Sequence, residues 1–539
     1  MEGGASASHP PGEVSGGSHP PGEVLLSRSV QFKDEMVEFI EEQGLPSLES
    51  IMDAALEGIP SSKRQTVMQR EILHYRETVE KQAEDALRER KLCCPSATKK
   101  VPVVFTGGDD PVFYGQALQG IEPHFIQVAH PNEVTALALR VSWPRYSSFY
   151  SFPPGAFISS ADRNMLVLYV GPYRPCLSLR GFYLAYDVWA NSIAVIPQLP
   201  SGSVSMFTHV GIGTGVAIQS RGDQPGEFIL AELLLKKQRG RPSSKGTLFK
   251  WFSSGPAAGQ WIQTEVVLPL PTKPEEHASR SSCTFCSDIV SVFGTAGLCW
   301  VDLLQGILIC NDVSSAHPQF RFVGLPRKPT IKPGIEGRGM PAAHSSICYV
   351  EDTLRFITID NYGHRDPFCA TLSIWALQDI QIPEWVLFYS FSFGNIQLDP
   401  FYRRMMPTFP VLSMANEHVI YVTVAADLTS VPGKLEECVR HVLCIDMMHG
   451  CVVSVSNLPP GSGLTPPNFL ACIFGSCLHK SPCNENQECE EKISMTEVDA
   501  VRLKQRSFRS FEPLHGQSAT GSRNLRGLAS LVDDCAFSE

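Results

Sequence analysis

The chain has 539 residues, with 45 basic and 55 acidic side chains and a net charge of −10. Apolar residues make up 43% of it, which is enough for a large core, and charged residues only 19%. The acidic balance argues against a dedicated nucleic-acid or membrane-surface binder, because such proteins carry a basic field.

Residues 1–30 are of low complexity, and the sequence SHPPGEV occurs there twice, at 8–14 and 18–24. Such a segment buries too little apolar surface to offset the entropy of ordering, so we expect a disordered tail. Neither a signal peptide nor an apolar run long enough to span a bilayer is visible. With the 17 cysteines read mostly as free thiols, these features predict a soluble intracellular protein, cytoplasmic and/or nuclear.

Residues 31–95 show helical patterning and predict a small helical extension. An apolar face that starts at Phe32 predicts the first helix, and Ser47 can cap a second. Ser62 and Gln65 form a capping-box pattern for a third. The extension is interpreted either as a cap packed on the main domain or as a partner-binding module.

Residues 101–475 change to strand patterning, in which short apolar runs alternate with Gly, Pro, Ser and Asp turns. No alternation of strands with helices is visible, so a parallel α/β sheet is disfavoured. The predicted strands include Phe125–Val128, Met165–Val170, Phe182–Val188, Phe228–Leu235, Thr264–Leu270, Leu298–Leu304, Ile307–Cys310, Ile347–Val350, Leu354–Ile359, Thr371–Leu377, Val419–Val424 and Val442–Ile445.

A loose repeat runs through this region, because apolar strand pairs end in Leu-Pro at 199–200, 270–271, 325–326 and 458–459. The last interval is long enough for two units. Repetition of this kind predicts an all-β, β-propeller-like domain of about six to seven blades, with a series of two-sheet sandwiches as the alternative. The tryptophans of this region are expected to pack between blades, and residues 478–539 are expected to form a flexible polar tail.

Three short motifs suggest chemistry but lack the context that it needs. Cys283 and Cys286 form a single CxxC, whereas a structural zinc site needs four ligands. Gly211–Gly215 resembles part of a dinucleotide loop, but no helix follows it. His364–Asp366 lacks the later asparagine of a kinase catalytic loop. We therefore assign no catalytic, cofactor-binding or metal-ligating residue, and expect no cofactor.

The run Arg239–Pro242 resembles the core of an AT-hook, in which arginines enter the narrow minor groove of A·T tracts. The simpler interpretation is a solvated basic hairpin loop between Leu235 and Leu248. Binding of nucleic acid is thus an alternative and not the main expectation, and no membrane association is expected.

The stretch GTAGLCWVDLLQGILICNDV at 294–313, followed by FRFVGLP, resembles the hallmark of the plant domain-of-unknown-function 1618 family, which is abundant in grasses. The resemblance covers about residues 120–460, and its most specific part is carried by Trp300, Val301, Asp302, Gly306 and Cys310. Asn311 departs from the family pattern, which predicts a bulge or a longer turn there.

The resemblance implies a propeller-like fold related to F-box-associated and kelch domains, and it implies no activity. Some members carry an N-terminal F-box, but the sequence after Leu45–Pro46 matches an F-box poorly. The sequence therefore predicts a protein–protein interaction module with an unknown protein partner, which uses a propeller face. An enzyme with its site in the propeller channel and a weak A·T-tract binder are the alternatives.

Overall fold

The computed structural model describes residues 23–101, 111–126, 134–143, 155–171, 181–200, 215–221, 226–238, 241–271, 285–293, 297–326, 341–361, 369–425, 440–458 and 469–473. Strands dominate these residues, so the protein is mostly β. The predicted tail at 478–539, the residues before 23, and the motifs at 211–215 (apart from Gly215) and 364–366 lie outside the described residues.

Eight of the first nine described strands, all except β1, form the most extensive sheet. Its strand order is β3-β9-β8-β7-β6-β2-β5-β4, in which β2 runs parallel to β5 and β3 parallel to β9. The strands are β1 (Glu23–Ser27), β2 (Ser29–Asp34), β3 (Lys99–Val101), β4 (Ile121–Ile126), β5 (Ala136–Val141), β6 (Ala156–Asp162), β7 (Met165–Val170), β8 (Phe182–Asp187) and β9 (Ser192–Ile196).

The following strands form antiparallel sheets of four, each with its strands in chain order. The first is β10 (Val216–Ser220), β11 (Phe228–Gln238), β12 (Arg241–Phe252) and β13 (Trp261–Val267). The second is β14 (Ile289–Phe293), β15 (Gly297–Asp302), β16 (Gly306–Cys310) and β17 (Phe320–Gly324). The third is β18 (Ser345–Val350), β19 (Thr353–Asp360), β20 (Thr371–Leu377) and β21 (Trp385–Ser392). The fourth is β22 (Pro407–Leu412), β23 (Val419–Ala425), β24 (Arg440–Asp446) and β25 (Cys451–Asn457).

The predicted strand runs all overlap observed strands, and the repeat is phased as expected. Each Leu-Pro directly follows the last strand of a sheet, namely β9, β13, β17 and β25. The long last interval contains the two sheets β18–β21 and β22–β25, as predicted.

The sheets contact one another through their first strands. β6 contacts β10, β10 contacts β14, β14 contacts β18, and β18 contacts β22. β22 in turn contacts β26 (Phe469–Ile473), the last described strand. Each neighbouring pair of sheets also encloses its own apolar cluster. One such cluster joins β6–β9 to β10–β13 through Tyr169, Phe249 and Trp251. Comparable clusters lie between the other pairs, which gives a propeller-like arrangement.

Tryptophans reinforce these contacts, as the sequence predicts for residues packed between blades. The indole nitrogen of Trp261 donates to the carbonyl of Pro197 at 2.9 Å, and that of Trp300 to Gly215 at 2.9 Å. Trp385 donates to Gly324 at 2.8 Å. Each bond reaches back to the preceding sheet or to the segment that leads into it. Trp189 is an exception, because it is mostly exposed in the turn after β8.

The helices are α1 (Glu35–Glu42), α2 (Leu48–Leu56), α3 (Ser61–Tyr75), α4 (Lys81–Cys93) and α5 (Pro111–Gln119), with a π-helical turn at Arg76–Glu80. The Ser47 cap is confirmed, since its side chain accepts from the Ser50 nitrogen. Ser62 is not a cap, because α3 already starts at Ser61 after Pro60. The prediction for Phe32 was wrong as well: it lies in β2, and Asp34 caps α1 after it.

Helix α1 is fixed to the sheet by charge pairing. Arg140 on β5 donates to the Glu38 carboxylate at 2.8 Å, and Lys33 lies 3.2 Å from the other oxygen of that carboxylate. Helix α5 was not predicted at all. It starts at Pro111, a residue whose fixed φ suits the first helical turn, and packs Tyr114 into the core between β2 and β6–β9.

The N-terminal strand closes the arrangement of sheets. β1 pairs antiparallel with β26, from Glu23 opposite Ile473 to Ser27 opposite Phe469. Immediately afterwards, β2 pairs with β6 through Ser29 and Val30. The sequence expectation of disorder over 1–30 is therefore wrong for residues 23–30, and the β domain starts at this strand and not at 101. The sequence EVLLSRSVQF at 23–32 contains the apolar residues of these two strands. This signal was missed because the second copy of SHPPGEV overlaps its first two residues.

The Glu23 carboxylate ties this closing strand to the sheet β22–β25. It accepts from the hydroxyl of Ser413 at 2.7 Å, the backbone nitrogen of Met414 at 2.6 Å and the hydroxyl of Tyr421 at 3.2 Å. All these donors belong to the turn after β22 or to β23, so a single side chain holds the first described strand to residues about 390 positions later in the chain.

We expect Glu23→Ala to lower the free energy of unfolding by about 2–4 kcal/mol, because it leaves a partly buried amide and two hydroxyls without their acceptor. Chemical denaturation followed by tryptophan fluorescence measures the change. Glu49→Ala on the exposed face of α2 is the control and should change stability by less than about 0.5 kcal/mol. Equal effects of the two substitutions would contradict the closing role of Glu23.

Candidate functional site

The first strands of the sheets surround a cavity of about 120 Å³. Residues from β6, β14, β18, β22 and β26 line it, together with Arg28 from the junction of β1 and β2. Its polar lining consists of Arg28, Ser159, Ser160, Ser291, Ser346, Cys348 and Tyr349. The remaining walls are apolar, as is typical of small-molecule pockets, which combine apolar walls with a few polar groups.

Arg28 is the one charged side chain among the described residues that line the cavity. It is buried, and its Nε donates to the carbonyl of Ile158 at 2.7 Å, while Nη2 donates to the carbonyl of Ser159. Its own carbonyl accepts from the nitrogen of Ile158 at 2.9 Å. The register of β6 shifts between Ile158 and Ser160, which marks a β-bulge in that strand. The Arg28 guanidinium therefore binds backbone carbonyls at this bulge.

Several cysteine thiols of the sheets have a raised pKa and therefore a low reactivity at neutral pH. Burial raises the pKa of Cys348, which lines the cavity, to about 12, and Arg355 only partly opposes this rise. Burial likewise raises the pKa of Cys299 and of Cys444 to about 12. A thiol in this state is not a nucleophile at neutral pH. Cys94 is disulfide-bonded, so the expectation of free thiols does not hold there.

A second candidate surface is the outer strand β21, with the sequence WVLFYSFS. Val386, Leu387 and Phe388 are consecutive and all exposed, and Ile382 in the preceding turn is 73% exposed. Ordinary strand alternation would turn every second side chain inward. A bulge between Ile374 and Trp375 on β20 leaves Phe388 as the extra residue, which breaks the alternation.

The ring of Phe388 packs against the side chain of Arg355. The guanidinium of Arg355 on β19 lies 3.9 Å from the centre of its ring, within the range of a cation–π contact. Arg355 also donates to the Glu417 carboxylate at 2.7 Å, and this carboxylate belongs to the turn between β22 and β23. The exposed surface of β21 is therefore linked to the neighbouring sheet through a buried ion pair.

Carboxylates surround the start of β21. Asp379 and Glu384 lie in the turn between β20 and β21, and Glu351 and Asp352 form the turn between β18 and β19. Both turns leave the same end of the sheet, because the strands form an antiparallel meander. All four side chains belong to exposed residues, and none of them forms an ion pair within the described part of the chain. This end of the sheet is therefore apolar with an acidic border.

The motifs singled out in the sequence are not brought together here. Cys286 is buried, and its backbone nitrogen donates to Asp302, whereas Cys283 lies outside the described residues. Arg239 and Gly240 are also outside them, and Arg241 starts β12 opposite Gln238, so the run falls at the end of a hairpin.

The described residues contain no cluster of three or more side chains that could bind a metal ion. No described helix is both long and apolar enough to cross a bilayer.

The residues that carry the family resemblance lie in the core or in turns and contribute to the packing and hydrogen bonding of the fold. Trp300 and Val301 lie on β15 and are fully buried. Asp302 ends β15 and accepts from the backbone nitrogens of Cys286 and Leu304 at 2.8 and 2.9 Å. A side chain at Gly306 would meet the Val323 carbonyl at 2.5 Å. Asn311 begins a longer connection after β16, and the register of β15–β17 shows no bulge.

Residues 300–421 match the model of a family described as a protein of unknown function (DUF1618). The match supports the family resemblance over β15–β23, which includes the exposed strand β21. The wider extent of the resemblance and an origin in grasses stay predictions. A search of curated proteins finds no match to the sequence.

Solved structures with some likeness are mostly glycoside-degrading enzymes. They include the NanB sialidase of Streptococcus pneumoniae, at 10% identity and a TM-score of 0.23, where the match covers 48% of this chain and 32% of the sialidase. A family 117 glycoside hydrolase of Zobellia galactanivorans has 11% identity and a TM-score of 0.26, with 51% of this chain and 80% of that one covered. This chain therefore spans about a third of the sialidase, and scores at this level carry no functional argument.

We expect the thiols with a raised pKa to resist alkylation in the folded protein. At pH 8, Cys93 and Cys369, which are exposed, should react with iodoacetamide first, whereas Cys299, Cys348 and Cys444 should react only after unfolding, because burial holds their pKa near 12. Peptide mass spectrometry at timed quench points resolves the individual sites. Early labelling of Cys348 would show that the cavity is open to solvent and reagent.

Proposed function

We propose that this protein is a β-propeller that binds a partner protein through the exposed strand β21. The observation that carries the proposal is the run of exposed apolar side chains on this uncharged outer strand. The proposal refines the prediction of an interaction module, because it moves recognition from an unspecified propeller face to one blade.

A blade count of six is part of the proposal. The four antiparallel sheets β10–β25 supply four blades and β6–β9 a fifth. The sixth combines β26, β1, β5 and β4 from the two ends of the described chain. Apolar clusters at each junction, including Leu25 with Tyr421 and Leu26 with Ile158, support a closed ring.

An exposed edge strand can pair with another chain and cause aggregation. Proteins usually prevent this by covering the strand or by placing charged residues on it. β9 is covered by β3 and α5. β13 carries Glu265, which pairs with Lys236, and β17 carries Arg321. β21 and β25 carry neither a charge nor a proline, but β21 is the longer of the two and exposes the larger side chains of Leu387 and Phe388, which favours it as the strand that is completed by a partner.

Charge indicates what kind of partner would fit. The carboxylates of Glu351, Asp352, Asp379 and Glu384 lie at the end where β21 starts, and none is neutralised by an ion pair with a described residue. An extended segment with alternating apolar side chains and flanking lysine or arginine would satisfy both the strand edge and this acidic border.

To test this, a library of random peptides displayed on phage is selected against the full chain. Selected peptides should be enriched in alternating apolar residues with lysine or arginine beside them. A variant with Ile382→Lys and Leu387→Lys should weaken their binding at least about tenfold, because it places like charge on the docking strand. Fluorescence anisotropy of the labelled peptides measures the affinity.

The matched control is Val267→Lys, because Val267 is 74% exposed at the end of another outer strand, β13. This control should bind the peptides as the unmodified chain does. Peptides that bind both variants equally would refute the proposal. Sedimentation of the chain alone adds a second check, since a dimer that the double variant dissociates would identify a second copy, and not a basic partner, as the occupant.

A further inference from the structure

The central cavity has a composition that the proposed interaction does not use. Its lining residues include Arg28 and four serines, against apolar walls; the serines are Ser159, Ser160, Ser291 and Ser346. No carboxylate and no imidazole belongs to the described lining. The one formal charge of the described lining is therefore the positive charge of Arg28, in a protein whose net charge is −10.

We infer that this cavity binds a small oxyanion, that is, a carboxylate or a phosphate. Arginine matches the planar geometry of such groups, and its hydrogen bonds to charged oxygens are stronger than neutral ones. The apolar walls formed by Ile289, Ile347 and Leu412 strengthen the interaction, because they lower the local dielectric. A cation would meet only repulsion from Arg28.

The guanidinium is fixed before any ligand arrives. Two of its N–H groups donate to the carbonyls of Ile158 and Ser159, and the backbone of Arg28 is itself paired with Ile158. A side chain that is already ordered loses little entropy on binding. The hydroxyl of Ser346, on the first strand of the sheet β18–β21, forms no hydrogen bond with a described residue and can donate to a ligand.

The size of the cavity sets the class of ligand. Its volume of about 120 Å³ is well above the roughly 10–15 Å³ that one water molecule requires. The cavity can hold phosphate or a small mono- or dicarboxylate, whereas a nucleotide or an oligosaccharide would not fit within the lining described.

The test is isothermal titration of the full chain with sodium phosphate, sodium acetate and sodium malonate, each at an ionic strength held constant with sodium chloride. We expect saturable binding of at least one of these probes and a rise in melting temperature with its concentration, because a ligand of the folded state stabilises that state. Phosphate alone or the carboxylates alone would each support the site and would identify the class.

Ser346→Leu removes the hydroxyl, reduces the volume of the cavity and leaves the Arg28 residue in place, so it should abolish the titration signal. Arg28→Lys keeps the charge but loses the planar fork, so its affinity should fall about tenfold if the variant folds. Ser61→Leu, on the exposed first turn of α3, is the matched control and should bind normally. The inference is overturned if no probe binds saturably, or if Ser346→Leu leaves binding unchanged. These outcomes are independent of peptide binding at β21.

Discussion

The pairing of β1 with β26 is the constraint on which the rest of the structure depends. The sheets meet in sequence through their first strands, and such a series becomes a ring only if its two ends join. Glu23 holds the joining strand to one neighbour, through Ser413 and Tyr421, and Arg28 holds it to the other, through the carbonyls of β6. Without this strand, β6 and β22 would each leave an apolar face exposed, which costs on the order of 25 cal/mol for every Å² of apolar surface.

The two candidate sites differ in composition. β6 lines the cavity with the small or polar side chains of Ser159, Ser160 and Ala161. The last strand of a sheet carries large side chains that either pack against the neighbouring sheet or face solvent. β21 does both, since Trp385 bonds to the preceding sheet while Leu387 stays 43% exposed. The cavity is thereby suited to small polar ligands and the rim to another chain.

The sequence predicts the middle strands well, because runs such as Met165–Val170 and Thr371–Leu377 are buried on both faces and read as continuous apolar segments. It predicts the first strands poorly, because they are short and mixed in composition: Val216–Ser220 has only three apolar residues before Gln219 and Ser220. The cavity and the closing strand were missed for a related reason. Arg28 acquires its role from contacts with residues about 130 positions away, which no local pattern contains.

Closure by the two ends of the described chain has a consequence for synthesis. Among the described strands, β1 leaves the ribosome first, but its partner β26 is made last, after the other described sheets. Each sheet of consecutive strands can form as it emerges, because its pairings are local. The strand that carries Glu23 must instead wait with an unpaired edge, which leaves the nascent protein open to chaperones, to mispairing and to exchange of this strand between molecules until β26 has been made.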